Sequence, residues 1–317
     1  MRLTMWMAVL AATLATSAGN VIAQTFPSKL VRIVIPFSLG GSTDTTARVF
    51  MPQLIERWGQ QVIVEPRPGA ATTLGTEHVS KAEPDGHTIL FTSTQFAYGP
   101  SQFKKLPYDP INDLVPITLV TVSPQVIVAH PTLPANNPKQ LIALARARPG
   151  ELNMGNAGSV LPSHSFFMMA KAKIVPVPYK GAGPLMTDLM GGHVPLAMAA
   201  ISSVQGTVRA GRAKIIGVCS LTPSSLFPDA PVIAKDVPGF EAVAWFGMFA
   251  PRGTPPALVK RIRDDIAAVL AIPSVRKQLL EIGGEPSGMP PDEFARMVRT
   301  EIDKWNKVAK AIGFKPN

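Results

Sequence analysis

Val31-Arg32-Ile33-Val34-Ile35, then Pro36-Phe37-Ser38-Leu39-Gly40-Gly41-Ser42-Thr43-Asp44, then Thr45-Thr46-Ala47-Arg48-Val49-Phe50, place a β-branched run, a glycine turn and a helix start in that order. The first run is apolar and closed by proline, which suits a buried strand. Gly40 and Gly41 permit positive φ and a close backbone approach, and Ser42, Thr43 or Asp44 can cap the helix that follows. A helix N-terminus leaves N–H groups without partners and carries a partial positive charge, so the turn is a ready anion site. Taken alone, the same residues also make an ordinary connection between a strand and a helix.

Upstream, Met1-Arg2 precedes an almost wholly apolar run from Leu3 to Ala15, and Val21-Ile22-Ala23 sets small residues before Gln24. This is the layout of a secretory signal peptide over residues 1–23, cleaved after Ala23, with Ala18 as a second candidate cleavage site. The apolar run is short for a membrane span. No cysteine stands near the cleavage site, so a lipid anchor is not supported. Cys219 is the single cysteine, which rules out an intramolecular disulfide and a cysteine-based zinc site. Its neighbours Ile215, Ile216 and Val218 mark it as a buried strand residue.

Cleavage would leave about 294 residues, enough for one large or two medium domains. Hydrophobic residues make up 46% of the chain and charged ones 16%, so a substantial core is expected and disorder is not. The formal charge of +10 would suit nucleic acid, anionic lipid or small anions. The basic residues are scattered, with no stripe and no interleaved aromatics, which argues against nucleic acid and leaves small anions as the better fit.

Strand candidates alternate with helical stretches along the chain. The strands are expected at 31–35, 62–65, 88–93, 117–122, 125–130, 152–156, 174–178, 194–200, 214–219 and 243–250. Helices are expected at 45–58, 75–82, 138–147, 163–171, 183–190 and 203–210. This is the pattern of an α/β protein with largely parallel sheets. Strand, glycine turn and helix recur in each half, which predicts two lobes of similar size. The chain is expected to cross between them at Ser123–Val128 and again along Val243–Pro251. That division puts residues 24–123 and 252–317 in lobe 1 and residues 124–251 in lobe 2. Two late helices, with apolar faces at Leu258, Val259, Ile262, Ile266 and Val269 and at Phe294, Met297, Val298, Ile302 and Trp305, should pack back on lobe 1. A ligand cleft between the lobes follows from such an arrangement.

The run Pro36-Phe37-x-x-Gly40-Gly41-x-x-Asp44-x-x-Ala47-Arg48 resembles the signature of the Bug family, periplasmic substrate-binding proteins of tripartite tricarboxylate transporters. The likeness recurs in order at Arg67-Pro68-Gly69-Ala70, Pro84-Asp85-Gly86-His87-Thr88-Ile89-Leu90, Lys105-Leu106-Pro107-Tyr108-Asp109 and Tyr179-Lys180-Gly181-Ala182. It continues through Asp188-Leu189-Met190-Gly191-Gly192, Trp245-Phe246-Gly247-Met248-Phe249-Ala250-Pro251 and Glu301-Ile302-x-Lys304-Trp305. Together these motifs cover essentially the whole mature chain. The resemblance implies a class II periplasmic binding fold, monomeric, with two hinge-crossing strands, closing over a small carboxylate and serving membrane subunits of such a transporter. It implies no enzyme activity, no cofactor and no nucleic acid. By matching motif, the lobe 1 loop would be Ser38, Gly40, Gly41, Ser42, Thr43 and Asp44, joined by Ala70, Ala71 and Thr73 and by Thr92 and Ser93. Lobe 2 would add Asn156, Ala157, Gly158 and Ser159, then Lys180, Gly181 and Ala182, with Ala199 on the strand behind them. Backbone amides at helix ends can hold a carboxylate without immobilising long side chains.

Other chemistries fit the residues less well. Asp44 can equally pair with Arg48 four residues on. Lys180 can stand in solvent beside its turn. Ser159 and His164 suggest a nucleophile and base, but a helical His five residues after the Ser is poorly placed, and no Gly-x-Ser-x-Gly elbow exists. The five histidines are dispersed, with no His-x-x-x-His motif. No Gly-x-Gly-x-x-Gly follows the first strand. Phe96 and Tyr98 belong either to the pocket or to the core. A secreted serine hydrolase is therefore a weak alternative, and a sensor that presents bound carboxylate to a signalling receptor a stronger one.

Departures from the family pattern bear on specificity. Pro195 stands where Asp is frequent, Ala199 where a polar residue is common, and Pro66 where Asn usually precedes Arg67. The helix after His164 is about one turn short. An Ala in place of a polar residue removes one partner for a ligand ammonium or hydroxyl, so the sequence favours an aromatic or short aliphatic acid over an amino acid or citrate.

Overall fold

The computed structural model describes residues 26–316; the expected signal peptide over residues 1–23 lies outside them. Ten strands follow in chain order: β1 (Val31–Ile35), β2 (Val62–Pro66), β3 (Thr88–Ser93), β4 (Leu114–Ala129), β5 (Asn153–Ala157), β6 (Val175–Tyr179), β7 (Leu196–Ala200), β8 (Lys214–Val218), β9 (Val243–Pro251) and β10 (Glu285–Pro286). The helices are α1 (Ser42–Trp58), α2 (Thr73–Ser80), α3 (Gln95–Gln102), α4 (Pro138–Ala147), α5 (Leu161–Met169), α6 (Ala182–Met190), α7 (Ile201–Arg209), α8 (Pro256–Leu270), α9 (Pro273–Glu281) and α10 (Pro291–Ala311).

The strands form one hydrogen-bonded path, β2-β1-β3-β9-β4-β7-β5-β6, with β8 and β10 also pairing β4. Its first part holds the parallel strands β2, β1 and β3, closed off by antiparallel β9. Its second part holds parallel β6, β5 and β7. β4 belongs to both. Its N-terminal part pairs β9 from Leu114 to Pro124, and its C-terminal part pairs β7 from Gln125 to Ala129. The two strands expected at 117–122 and 125–130 are thus a single 16-residue strand. Ser123-Pro124 looks like a break because proline cannot donate to a ladder. Here the strand changes sheets at that point, and the missing N–H costs no ladder bond.

The second crossing comes just before β9, not along it. Ala242 N–H donates to Cys219 O, Gln125 N–H donates to Ala242 O, and every ladder partner of β9 from Val243 onward lies in β3 or β4. β9 is buried along nearly all its length, so no alternation of apolar and polar residues tells which sheet it joins.

Both sheets carry apolar side chains on both faces. Along β1, Ile33 and Ile35 enter one core with Phe50, Leu54, Ile262 and Ile266, whereas Val34 points the other way, toward Leu90, Phe294 and Trp305. Along the far end of β4, Ile127 and Ala129 pack with Phe166 and Met198, and Val126 and Val128 with Leu185 and Leu189. The period of two along an extended chain produces this division. As expected, the C-terminal helices return to the first sheet: α8 packs on α1 and β4, and α10 on α3 and β4. Cys219 is a buried free thiol whose pKa is raised by burial, which leaves it inert.

Candidate functional site

A cavity of about 100 Å³ opens where strand ends of the two sheets face each other. Ser93 ends β3, Asn156 and Ala157 end β5, and Ala199 and Ala200 end β7, and all line it. The parallel strands deliver their C-terminal ends, and the helices that follow begin there. Four helices start at its wall: α1 with Gly41, Ser42 and Thr43, α3 with Thr94 and Gln95, α6 with Gly181, Ala182 and Gly183, and α7 with Ala200 and Ser203. None of the four has a side-chain hydrogen bond from its N-cap residue, although Gln95 N–H at the start of α3 donates to Ser93 Oγ at 3.3 Å. Their first N–H groups have no intrahelical acceptor, and their dipoles sum to positive potential at one place. Lys180 adds a full positive charge, and no carboxylate lines the cavity.

The expected cap on α1 is replaced by a different device. Gly41 is the N-cap, and Ser42 and Thr43 leave its N–H groups open. Asp44 reaches back instead: Gly40 N–H donates to its Oδ2 at 2.9 Å, and Arg48 Nε donates to both of its oxygens at 3.0 Å. Asp44 is buried at 3% exposure and is fully engaged in shaping the loop from behind. Gly40 takes φ +81°, the left-handed region where glycine is favoured.

The structure brings Ser38, Gly41, Ser42, Thr43, Ser93, Asn156, Ala157, Ser159, Lys180, Gly181, Ala182 and Ala199 to the cavity wall. It leaves Gly40, Asp44, Ala70, Ala71, Thr73, Thr92 and Gly158 off that wall. Ala70 and Ala71 lie in a tight turn with Thr72, at φ of 43°, 48° and 83°. This turn leads into α2, whose Gly75 lies so close to Pro36 that a side chain there would reach within 2.8 Å. It braces the β1 loop instead of lining the cavity. Thr92 is fully buried in β3. Gly158, at φ +103°, lies against Gln95, where a Cβ would meet Oε1 at 2.6 Å.

That close approach serves a polar bridge between the two halves. Ser159 N–H donates to Gln95 Oε1 at 2.8 Å, and Gln102 Nε2 donates to Ser159 Oγ at 2.6 Å. Gln95 Nε2 in turn donates to Gln102 Oε1 at 3.2 Å. Ser159 is thus occupied as a connector. His164, on α5, makes no hydrogen bond with it, and burial lowers the imidazole pKa from its usual value.

Sequence reasoning passed over several lining residues, among them Thr94, Gln95, Gln125, Met198, Ser203 and Phe246. Gln125 carried a signal, being a polar residue next to the proline of a crossing strand. Tyr98 lines the cavity, whereas Phe96 is core. Burial pushes the Tyr98 phenol pKa well up, Glu301 adding to the effect and Gln125 opposing it, so the hydroxyl keeps its proton. Among the described residues no cluster of three or more His, Cys, Asp or Glu is placed to hold a metal ion. No helix among them is long and apolar enough to cross a membrane.

Comparison with known proteins agrees with this geometry. The family model of the tripartite tricarboxylate transporter family receptor, TctC, matches residues 46–314. Protein BugT of Bordetella pertussis is 34% identical over 324 residues, spanning 99% of this chain and 99% of its own. A solved R. palustris protein with adipate superposes with a TM-score of 0.88 at 33% identity, covering 92% of this chain and 100% of that one. MatC from Rhodopseudomonas palustris, with bound malate, gives 0.83 at 30% identity, covering 90% and 100%. With these matches running through both sheets and the cleft between them, the chain belongs to the TctC family of tripartite tricarboxylate transporter receptors, solute-binding proteins of the Bug type and not enzymes.

Proposed function

We propose that this protein captures a small carboxylate in the periplasm and delivers it, as a monomer, to the membrane subunits of a tripartite tricarboxylate transporter. The ligand would sit between a first lobe of residues 26–123 with 243–316, since β9 pairs β3 and the N-terminal part of β4, and a second of residues 124–242. Closure would bury the carboxylate against the open N-terminus of α1 and bring α6 and Lys180 onto it. Ligand then favours the closed state only by the extra affinity it gains there. The observation that carries this reading is the convergence of four helix N-termini, those of α1, α6 and α7 without a side-chain cap, on a cavity without a lining carboxylate. Such a site repels cations and offers an anion many short donors. The adipate and malate held by two structural relatives support the same ligand class.

The test is thermal unfolding of ligand-stripped, refolded protein against a panel of carboxylates, amino acids and sugars. Refolding is practical because no disulfide has to be remade. A carboxylate at about 100 times its Kd should add roughly 2.7 kcal/mol, a rise on the order of 5–10 °C. A shift with a sugar or a cation, and none with any carboxylate, would overturn the proposal.

A further inference from the structure

The hydrogen-bonded path of strands ends at β2 on one side and at β6 on the other, and the two edges are finished differently. Along β6, Val175 N–H donates to Leu152 O and Gly158 N–H donates to Tyr179 O. Val175, Val177 and Tyr179 therefore turn their backbone groups toward β5. The residues left facing outward are Pro176 and Pro178, which have no N–H to offer. That edge is closed to a further strand, a common protection of exposed sheet edges. Along β2, Val31 N–H donates to Gln61 O and Arg67 N–H donates to Ile35 O. This phase turns Ile63 and Glu65 toward β1 and leaves Val62 and Val64 presenting N–H and C=O outward. Only the last outward position, Pro66, is closed.

Beside the open edge, Met51, Pro52 and Ile55 of α1 face Val62 and Val64 across a groove of about 460 Å³. Ile55 is 39% exposed. Outward donors two residues apart match an extended backbone, and the groove matches apolar side chains on the face of that backbone nearer α1. Arg48 lines the same groove, and no carboxylate does. Its side chain is 63% exposed. Nε is held by Asp44, and the two terminal nitrogens make no hydrogen bond among the described residues, so they can pair a carboxylate brought by a partner.

Resting on the delivery reading above, we infer that the β2 edge is the docking site for a segment of the transporter's membrane subunits. The segment adds to β2 as a strand, with apolar residues at alternate positions and an acidic residue set against Arg48. The place suits delivery. Through Asp44, Arg48 braces the loop before α1 that walls the ligand cavity. A partner carboxylate that competes with Asp44 for Arg48 would loosen this wall only when the protein is docked.

Two variants of the full mature protein test the assignment. Val64→Pro gives β2 the finish that β6 already has, removing an outward N–H and no ladder bond. Ile55→Glu puts a charge into the groove from α1, and keeps the test available should Val64→Pro fail to fold. Neither residue lines the ligand cavity, so titration calorimetry with the tightest-binding acid of the panel should give an affinity within about twofold of wild type. In cells whose own copy of the gene is replaced by either variant, uptake of that acid at saturating concentration should fall by about 10-fold or more. Uptake kept by both variants, or lost only in step with affinity, overturns the docking assignment alone. A wild-type protein that sediments as a dimer, and that Val64→Pro dissociates, gives the edge to a second copy and also overturns it. Failure of every acid to bind the wild-type protein overturns the carboxylate reading, and this inference with it.

Discussion

Gln102 and Ser159 lie in different sheets' territory and are joined by a 2.6 Å hydrogen bond in which the amide Nε2 donates to the hydroxyl. Both are buried, and the same hydroxyl also accepts from Leu161 N–H at 3.1 Å. The bond joins α3 to the loop after β5, so under the proposed closure it would be a tie of the closed state. Ser159→Ala leaves two buried donors without their acceptor, at about 1–3 kcal/mol. It should therefore lower the melting temperature by a few degrees and, if closure works as proposed, weaken carboxylate binding through the lost tie across the cleft. Thermal unfolding and titration calorimetry on one preparation check both. An unchanged affinity beside a lowered melting temperature would mean that the bond does not bias closure.

Gly158→Ala should be more damaging than Ser159→Ala. The residue sits at φ +103° and a Cβ would press to 2.6 Å from Gln95 Oε1. Backbone strain and loss of the Gln95 bond to Ser159 N–H then add, at roughly 2–4 kcal/mol. Urea unfolding of both variants gives the order, and a Gly158→Ala midpoint at or above that of Ser159→Ala would contradict it.

Asp44→Ala should weaken ligand binding several-fold although Asp44 lines no part of the cavity. It frees Gly40 N–H and releases Arg48, so the loop before α1 loses its brace. Asp44→Asn keeps an acceptor for Gly40 N–H and should retain most of the affinity. Equal loss in the two variants would show that the carboxylate charge matters more than the loop geometry.

His164 sets a pH dependence. Burial holds its folded-state pKa below the usual value of about 6.5. Between the folded and unfolded values the unfolded chain binds the extra proton, so stability is full above about pH 6.5 and declines as pH falls below it. His164→Gln should flatten that part of the profile. Melting temperatures of both proteins from pH 8 to pH 5 test this, and parallel curves would exclude the imidazole as the cause.

The fold was legible wherever one rule dominated. The run Val31–Ile35 is too apolar and β-branched to be anything but a buried strand, and the faces of α8 and α10 follow the helical period. Helix starts around the cleft fall one to three residues before the expected 45, 75, 163, 183 and 203, at 42, 73, 161, 182 and 201. The usual marker of a helix start is a capping side chain, and these helices have none. The feature that makes the site chemically open is the one that hides its edges in sequence. The short helix α3 went unread because Pro100 interrupts it and its residues show no helical period; with it went Gln95. Asp44 was legible in its pairing with Arg48, but its bond to Gly40 depends on a left-handed glycine that residue order alone does not specify.

The position of β9 has a bearing on how the chain is made. β9 lies between β3 and β4, with Leu90 opposite Phe249 and Val115 opposite Ala250. A nascent chain that has emerged as far as β8 therefore holds β1, β2 and β3 with one edge of β3 unpaired, and β4 with an edge waiting for the same strand. Pairings so distant in sequence form slowly, and open edges invite pairing with other chains. The first half of this protein stays unfinished until its last quarter arrives, so chains cut short anywhere before residue 251 should accumulate as aggregates and not as a folded lobe.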